Sequence, residues 1–202
     1  MKIINSNVIK DIEKNCPINL NLGSGGGKIE GYYGVDHAEL EGVDIVADLN
    51  QLFDQFPDDC VKNIYSRHVL EHINEFLPLM NELHRIMMST GKLEIVVPHF
   101  SNVYGFSDPT HVRFFGLYTM NYFCDPEYQP TIRKVPSFYS EVRFTIEKVR
   151  IEFYTYSFFD KTIIKLLGKI INKSTRFQEF YERRLSSFFH ASQIRYYMSP
   201  VK

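Results

Sequence analysis

Neither charge is in excess: 23 Lys and Arg stand against 24 Asp and Glu, a net charge of -1 at pH 7. That balance argues against a broad electrostatic grip on nucleic acid, which relies on surplus cations at the phosphates. Cysteine is scarce. Cys16, Cys60 and Cys124 lie far apart and form no CxxC pair, so they give no zinc or disulfide framework and suggest small buried thiols in a reducing compartment. The opening residues Met1 to Ser6 lack the continuous apolar core of a signal peptide, and no apolar run approaches bilayer length. A cytoplasmic protein is expected. Internal repeats and low-complexity segments are also missing.

What remains is an ordinary globular composition, 44% hydrophobic and 23% charged over 202 residues, enough for one well-buried core and a single domain over 1–202. The charge is unevenly placed. Glu30 to Asp59 is rich in acids, whereas Lys161 to Arg195 is basic.

Strand-like segments follow one another through the first hundred residues: Ile18 to Leu22, one ending at Gly34-Val35-Asp36, Asp44 to Asp48, Val61 to Ser66 and Leu93 to Val97. A short polar helix is expected over Asn7 to Lys14. Ile73, Leu77, Met80, Leu83 and Met87 recur at helical spacing, which predicts an amphipathic helix over Glu71 to Met88, stopped by Ser89-Thr90-Gly91. Strand alternating with helix is the pattern of a parallel sheet, whose ligands bind beyond the C-terminal strand ends. Further on, Ser101 to Pro136 reads as loops and short helices, Val142 to Tyr154 as a strand, Phe158 to Ile171 and Phe177 to Phe189 as helices, and Gln193 to Met198 as a last strand.

The first strand runs into Gly23-Ser24-Gly25-Gly26-Gly27. Glycines there permit positive φ and let backbone N–H groups approach a ligand. A P-loop is excluded, because Ile29 stands where a Ser or Thr would hold magnesium and the first glycine is misplaced. A dinucleotide site fits poorly. Only Lys28 to Gly31 separate the glycines from Tyr32, too few for the helix whose N-terminus would anchor a pyrophosphate. A nucleoside without pyrophosphate, such as S-adenosylmethionine, fits better, with Asp36 for the ribose and Asp48-Leu49 for adenine.

Leu20 to Gly25, Gly31 to Asp36, Val43 to Leu49, Ile64 to His72 and Arg85 to Leu93 together resemble the class I S-adenosylmethionine-dependent methyltransferases, and within them a small bacterial branch with a shortened first helix. The similarity covers residues 18–115 well and the remainder loosely. It implies an α/β, Rossmann-like methyltransferase fold: a mostly parallel seven-stranded sheet with an antiparallel last strand and helices on both faces. The cofactor half would span about 18–100, with substrate cap segments at about 101–140 and 156–190. By the same resemblance Asn21, Gly23, Ser24 and Gly25 would form the methionine turn. Asp36 and His37 would meet the ribose, Asp48 and Leu49 the adenine, and Arg67 or His68 the sulfonium end. Asn21 departs from the acid that many methyltransferases carry there, and the small branch accommodates it.

Methyl transfer needs positioning, plus proton removal when the acceptor is a hydroxyl. His111, with Asp108 orienting it, is the candidate catalytic base, and Arg113, His99 and Tyr104 are candidates to bind the acceptor. His68 and His72 make an HxxxH pair, a weak metal signal; the resemblance turns His68 toward the cofactor and leaves His72 structural, and no metal is expected. Phe114, Phe115, Tyr118, Tyr122, Phe123 and Tyr128 suit an irregular cap packed on the sheet, with an acceptor pocket or lid as the other use. Lys161, Lys165, Lys169 and Lys173 flank an apolar helix face, which predicts docking on the core, with peripheral membrane contact through 161–173 as the alternative.

The function expected is transfer of a methyl group from S-adenosylmethionine to a small-molecule acceptor, an oxygen of a sugar or cell-surface polysaccharide precursor. The alternatives are an NAD-dependent oxidoreductase and a non-catalytic nucleoside-binding protein that keeps the fold.

Overall fold

A two-residue strand, β1 (Lys2–Ile3), leads into helix α1 (Ser6–Glu13) through Asn5, whose extended backbone lets its side chain accept the Asn7 N–H at 3.0 Å. There follow β2 (Ile18–Leu22), β3 (Tyr33–Asp36), β4 (Ile45–Val46), β5 (Val61–Arg67), α2 (Phe76–Ile86) and β6 (Met87–Pro98). The chain ends in β7 (Arg143–Phe153), α3 (Phe158–Ile171), α4 (Thr175–Arg184) and β8 (Ala191–Val201). The computed structural model describes residues 1–51, 53–155 and 158–202, with the backbone alone for 158–160; the expected cap boundary at 156 lies outside the described residues.

The strands form one sheet in the order β1-β4-β3-β2-β5-β6-β8-β7. The five strands from β4 to β6 are mutually parallel, and β8 runs antiparallel between β6 and β7. All seven expected strands are present, with the last one antiparallel. The eighth is β1, paired antiparallel to β4 at the far edge.

Three helix boundaries differ from the expected ones. The helix expected over 71–88 begins only at Phe76, because Leu70–His72 closes a separate 3-10 turn and Ile73 returns to extended backbone. Asn50 then supplies the start: its Oδ1 accepts the Asn74 and Glu75 N–H groups at 2.9 and 3.2 Å. The expected stop at Ser89-Thr90-Gly91 lies instead inside β6 as a register shift against β5. Gly91 fits there because a Cβ would lie 2.8 Å from the Met88 carbonyl oxygen. The second late helix stops at Arg184 rather than Phe189, where the Leu185 and Ser186 N–H groups both turn back onto Tyr181.

Strand register divides the sheet into two unlike faces. Leu20, Ile64, Leu93 and Met198 align across it, as do Ser66, Ile95 and Tyr196, and their apolar members belong to the buried core that α2 also enters. On the opposite face Asn19, Asn63 and Lys92 align, then Asn21, Tyr65, Glu94 and Tyr197. Among the described residues no helix links β2 to β3, as the short Lys28–Gly31 link anticipates, and none links β3 to β4, so the helices expected on both faces are missing from these two crossovers. This polar face satisfies itself laterally. Asn63 donates to Asn19 at 2.8 Å, while Arg195 bridges Glu94 and, at 3.0 Å, Glu152.

At the other edge Asn172 stands in for a neighbouring strand. Its amide accepts the Ile151 N–H at 2.8 Å and donates to the Ile151 carbonyl at 2.7 Å, which closes the exposed edge of β7. Of the cysteines only Cys124 is fully buried, its thiol pushed up to about 12 by desolvation; Cys16 is exposed.

Candidate functional site

The C-terminal ends of β2, β3 and β5 meet at the glycine turn. Gly23 and Gly25 have φ of 63° and 51°, in the left-handed region. A Cβ on Gly23 would lie 2.0 Å from Val69 Cγ2, so space as well as conformation requires glycine there; at Gly25 the same position is open. Asp36 fixes the turn. Its Oδ2 accepts the Gly25 N–H at 2.8 Å and its Oδ1 accepts the Ala38 N–H at 3.1 Å. Ser24 ties the turn to β3 through its N–H on the Val35 carbonyl.

A cavity of about 730 Å³ opens above these residues. Gly23, Gly25, Asp36 and His37 line one end, and Ala47, Asp48, Leu49 and Asn50 another part of the wall. Its size and mixture of apolar and polar walls suit a nucleoside-sized ligand. The Asn50 backbone N–H and side chain bond Asp48 and hold its carboxyl below the usual range. Asn50 also starts α2, so one side chain joins this wall to the helix.

His68, Val69, His72, Ile73 and Thr110 complete the lining. His68 follows β5 with φ of 54°, a conformation disfavoured for a residue with a Cβ, and its N–H donates to the Val96 carbonyl at 2.9 Å. Gln193 donates its amide to Glu152, so its Oε1 faces His68 Nε2 at 3.0 Å and accepts a hydrogen bond from the Nε2–H. Thr110 donates its hydroxyl to Asp108 at 2.6 Å, leaving its oxygen to accept from His72 Nδ1 at 2.8 Å. His111 Nδ1 donates to the Gly105 carbonyl at 2.9 Å. In their neutral forms all three imidazoles therefore carry a lone pair on the nitrogen not engaged in these bonds.

Glu71 lies among them, 1% exposed. Its Oε1 is 3.4 Å from His68 Nδ1 and 4.0 Å from His111 Nε2, and neither carboxylate oxygen has a hydrogen-bond partner. Among the described residues the Ser66 hydroxyl is the other such group.

Of the expected cofactor residues, Gly23, Gly25, Asp36, His37, Asp48, Leu49 and His68 come together around the cavity. Asn21 sits beneath the turn, donating to the Gly27 carbonyl; Ser24 packs against Gly34; Arg67 falls on the polar face of the sheet, in register with Val96. The acceptor candidates are spread more widely. His99 is buried between Ser101 and Glu182, and its Nε2 lies 3.1 Å from the Glu182 carboxylate. Arg113 donates to the Ile73 and Asn74 carbonyls and stacks on Phe76 at 4.7 Å. Tyr104 is exposed against Tyr154. His111 reaches the cluster beside Thr110, but its Nδ1 is held by Gly105; Asp108 lies 3.7 Å from the other nitrogen, Nε2. Asn50, Val69, Thr110 and above all Glu71 were not singled out by the sequence. The signal for Glu71 is its place inside His68-Val69-Leu70-Glu71-His72, beside the HxxxH pair.

No protein-family model matches the chain, and neither does any curated protein. Solved structures do. A SAM dependent methyltransferase from Archaeoglobus fulgidus is similar over 97% of this chain and 91% of its own, with 18% identity and a TM-score of 0.53. The YcgJ protein of Bacillus subtilis is similar over 96% and 97%, with 14% identity and a TM-score of 0.54. An S-adenosylmethionine dependent methyltransferase from Mesorhizobium loti is similar over 94% and 96%, with 14% identity and a TM-score of 0.52. With the strand order and the antiparallel β8, these likenesses establish that the chain has the Rossmann-like fold of S-adenosylmethionine-dependent methyltransferases.

Proposed function

We propose that this protein is an S-adenosylmethionine-dependent methyltransferase that acts on an oxygen of a small-molecule acceptor, a sugar or cell-surface polysaccharide precursor. The observation that carries this reading is the cavity of about 730 Å³ with the Gly23–Gly25 turn, Asp36 and the Asp48–Leu49 wall around one space. The fit is chemical as well as spatial. Gly25 leaves open room where a Cβ would stand, and the Asp36 carboxylate keeps lone pairs free for ribose hydroxyls beyond the two N–H groups it already accepts. Leu49 and Ile73 offer apolar surface to a base, and Asp48 an acceptor to its amino group.

When bound, S-adenosylmethionine supplies a methyl carbon made electrophilic by its sulfonium and leaves as a neutral thioether. The protein's task is to hold the acceptor oxygen in line and to receive its proton. His111 fits the second part, because Gly105 fixes its Nδ1–H and leaves Nε2 as the base. Asp108 stays ionised through its bonds from Thr110 and adds negative potential beside that nitrogen.

Helix α3 bears on where the acceptor is met. It docks through Leu167, Gly168 and Ile171, yet Ile163, Leu166 and Ile170 form a second apolar stripe facing outward. Lys161, Lys165, Lys169 and Lys173 are exposed beside it. This pairing of apolar stripe and cations supports contact with an anionic membrane surface and a lipid-linked acceptor.

Isothermal titration tests the cofactor. S-adenosylhomocysteine should bind with one site per chain and NAD should not, and Asp36→Ala should weaken binding by about tenfold or more, the scale of a lost charge-assisted hydrogen bond. Binding of NAD in place of S-adenosylhomocysteine would turn the reading to an oxidoreductase. Transfer of radiolabelled methyl to a cell extract, abolished in His111→Ala, separates an enzyme from a binder.

A further inference from the structure

From the geometry we infer that Glu71, His72 and His111 form a binding site for a first-row divalent metal ion at the acceptor end of the cavity. One donor atom from each of the three lies within 4.8 Å of the others, close enough for a single ion to draw them together with small side-chain movements. Two features separate this cluster from a chance gathering of polar groups.

The first is Glu71 itself. A carboxylate buried to 1% exposure with no hydrogen bond to either oxygen needs a positive partner. Among the described residues no Lys or Arg reaches it; its titratable neighbours are the imidazoles of His68 and His111, at 3.4 and 4.0 Å. The second is the set of outer hydrogen bonds. Gly105 fixes the His111 tautomer and Thr110, itself held by Asp108, fixes that of His72, each directing one ring N–H away and leaving the other nitrogen as a donor atom. Metal-binding histidines are oriented by this kind of second contact. In the neutral tautomer the Nε2 lone pair of His111 faces two carboxylates, Glu71 at 4.0 Å and Asp108 at 3.7 Å, a repulsive arrangement that a cation between them converts to attraction.

Two imidazoles and one carboxylate favour Mn²⁺, Co²⁺, Ni²⁺ or Zn²⁺ over Mg²⁺ or Ca²⁺, which prefer all-oxygen shells. Three protein ligands leave coordination positions open. His72 and Thr110 line the cavity, so those positions face the space left for the acceptor. The ligand class is an oxygen donor, a hydroxyl or a vicinal diol, which the ion would bind and polarise. This deepens the proposed methyltransferase function and rests on it for the identity of the acceptor. It also changes the part played by His111, from free base to ligand.

The experiment is titration of the tag-free, chelator-treated full chain with Mn²⁺, Co²⁺ and Zn²⁺, alongside separate titration with S-adenosylhomocysteine. We expect one ion per chain and visible Co²⁺ bands of a nitrogen-ligated, low-coordinate site. Glu71→Gln, close in shape to the native residue and outside the cavity lining, should weaken ion binding at least tenfold while leaving S-adenosylhomocysteine affinity within about threefold; His72→Ala should weaken ion binding at least tenfold as well. Absence of stoichiometric binding, or ion affinity in both variants equal to that of the native chain, would overturn the site. S-adenosylhomocysteine binding without ion binding defeats the metal site alone; ion binding without S-adenosylhomocysteine binding defeats the cofactor reading and leaves the metal site standing.

Discussion

At the scale of single residues, the site depends on three backbone positions in the left-handed region, two occupied by glycine and one not. Gly23 has no alternative: a Cβ there would lie 2.0 Å from Val69 Cγ2, and its φ of 63° disfavours a side chain besides. Gly23→Ala should destabilise the fold by about 1–3 kcal/mol, the scale of overpacking in a close-packed interior, and weaken S-adenosylhomocysteine binding. Urea unfolding and titration measure the two effects separately. His68 holds similar backbone with a full side chain, a strain that the Val96 and Gln193 hydrogen bonds offset. The glycines were legible in the sequence because their chemistry is local: a strand followed by glycines and an acid. Glu71 was not. Its burial depends on the 3-10 turn over Leu70–His72 and on a loop forty residues further on, neither of which helical periodicity encodes.

Secondary-structure elements were readable where their apolar pattern was set by the sheet, and less so where a distant side chain decided an end. All seven expected strands are present, because alternating apolar residues in β2, β5, β6 and β8 must share one face. The start of α2 moved to Phe76 because its cap comes from Asn50, twenty-five residues before Glu75. His99 and Arg113 follow a strand end, the pattern of acceptor ligands, and each is also engaged by the scaffold, His99 with Glu182 and Arg113 with the Ile73 carbonyl. Asn172 is another long-range device, one amide closing the edge of β7. Asn172→Ala should cost about 1–3 kcal/mol for the backbone groups it leaves unpaired and should promote self-association along the freed edge. Thermal unfolding and light scattering would check this; an unchanged melting temperature would show that water replaces the amide at no cost.

For the molecule as a whole, the sheet has one apolar face packed into the core and one face of paired polar side chains. A short link after the glycines dispenses with a helix, and cross-strand bonds such as Asn63–Asn19 and Arg195–Glu152 make that economy tolerable. The basic helix lies away from this, with Ile163, Leu166 and Ile170 directed outward. Sedimentation with vesicles containing phosphatidylserine should recover the protein at low salt. Replacing Leu166 by Glu should abolish recovery, and neutral phosphatidylcholine vesicles should not retain it. Equal recovery on both vesicle types would remove the electrostatic part of the membrane reading.

The bond from the Gly25 N–H to Asp36 has one more consequence. The turn is already tethered before any ligand arrives, so little chain entropy remains to be lost when the cofactor enters, and association should proceed without a slow ordering phase. In amide exchange, Gly25 should then be protected in the empty protein. Cofactor should add protection chiefly on the opposite wall, around Asp48 to Asn50, where the exposed Asp48 carboxyl is held by bonds from the neighbouring Asn50 and Gln51.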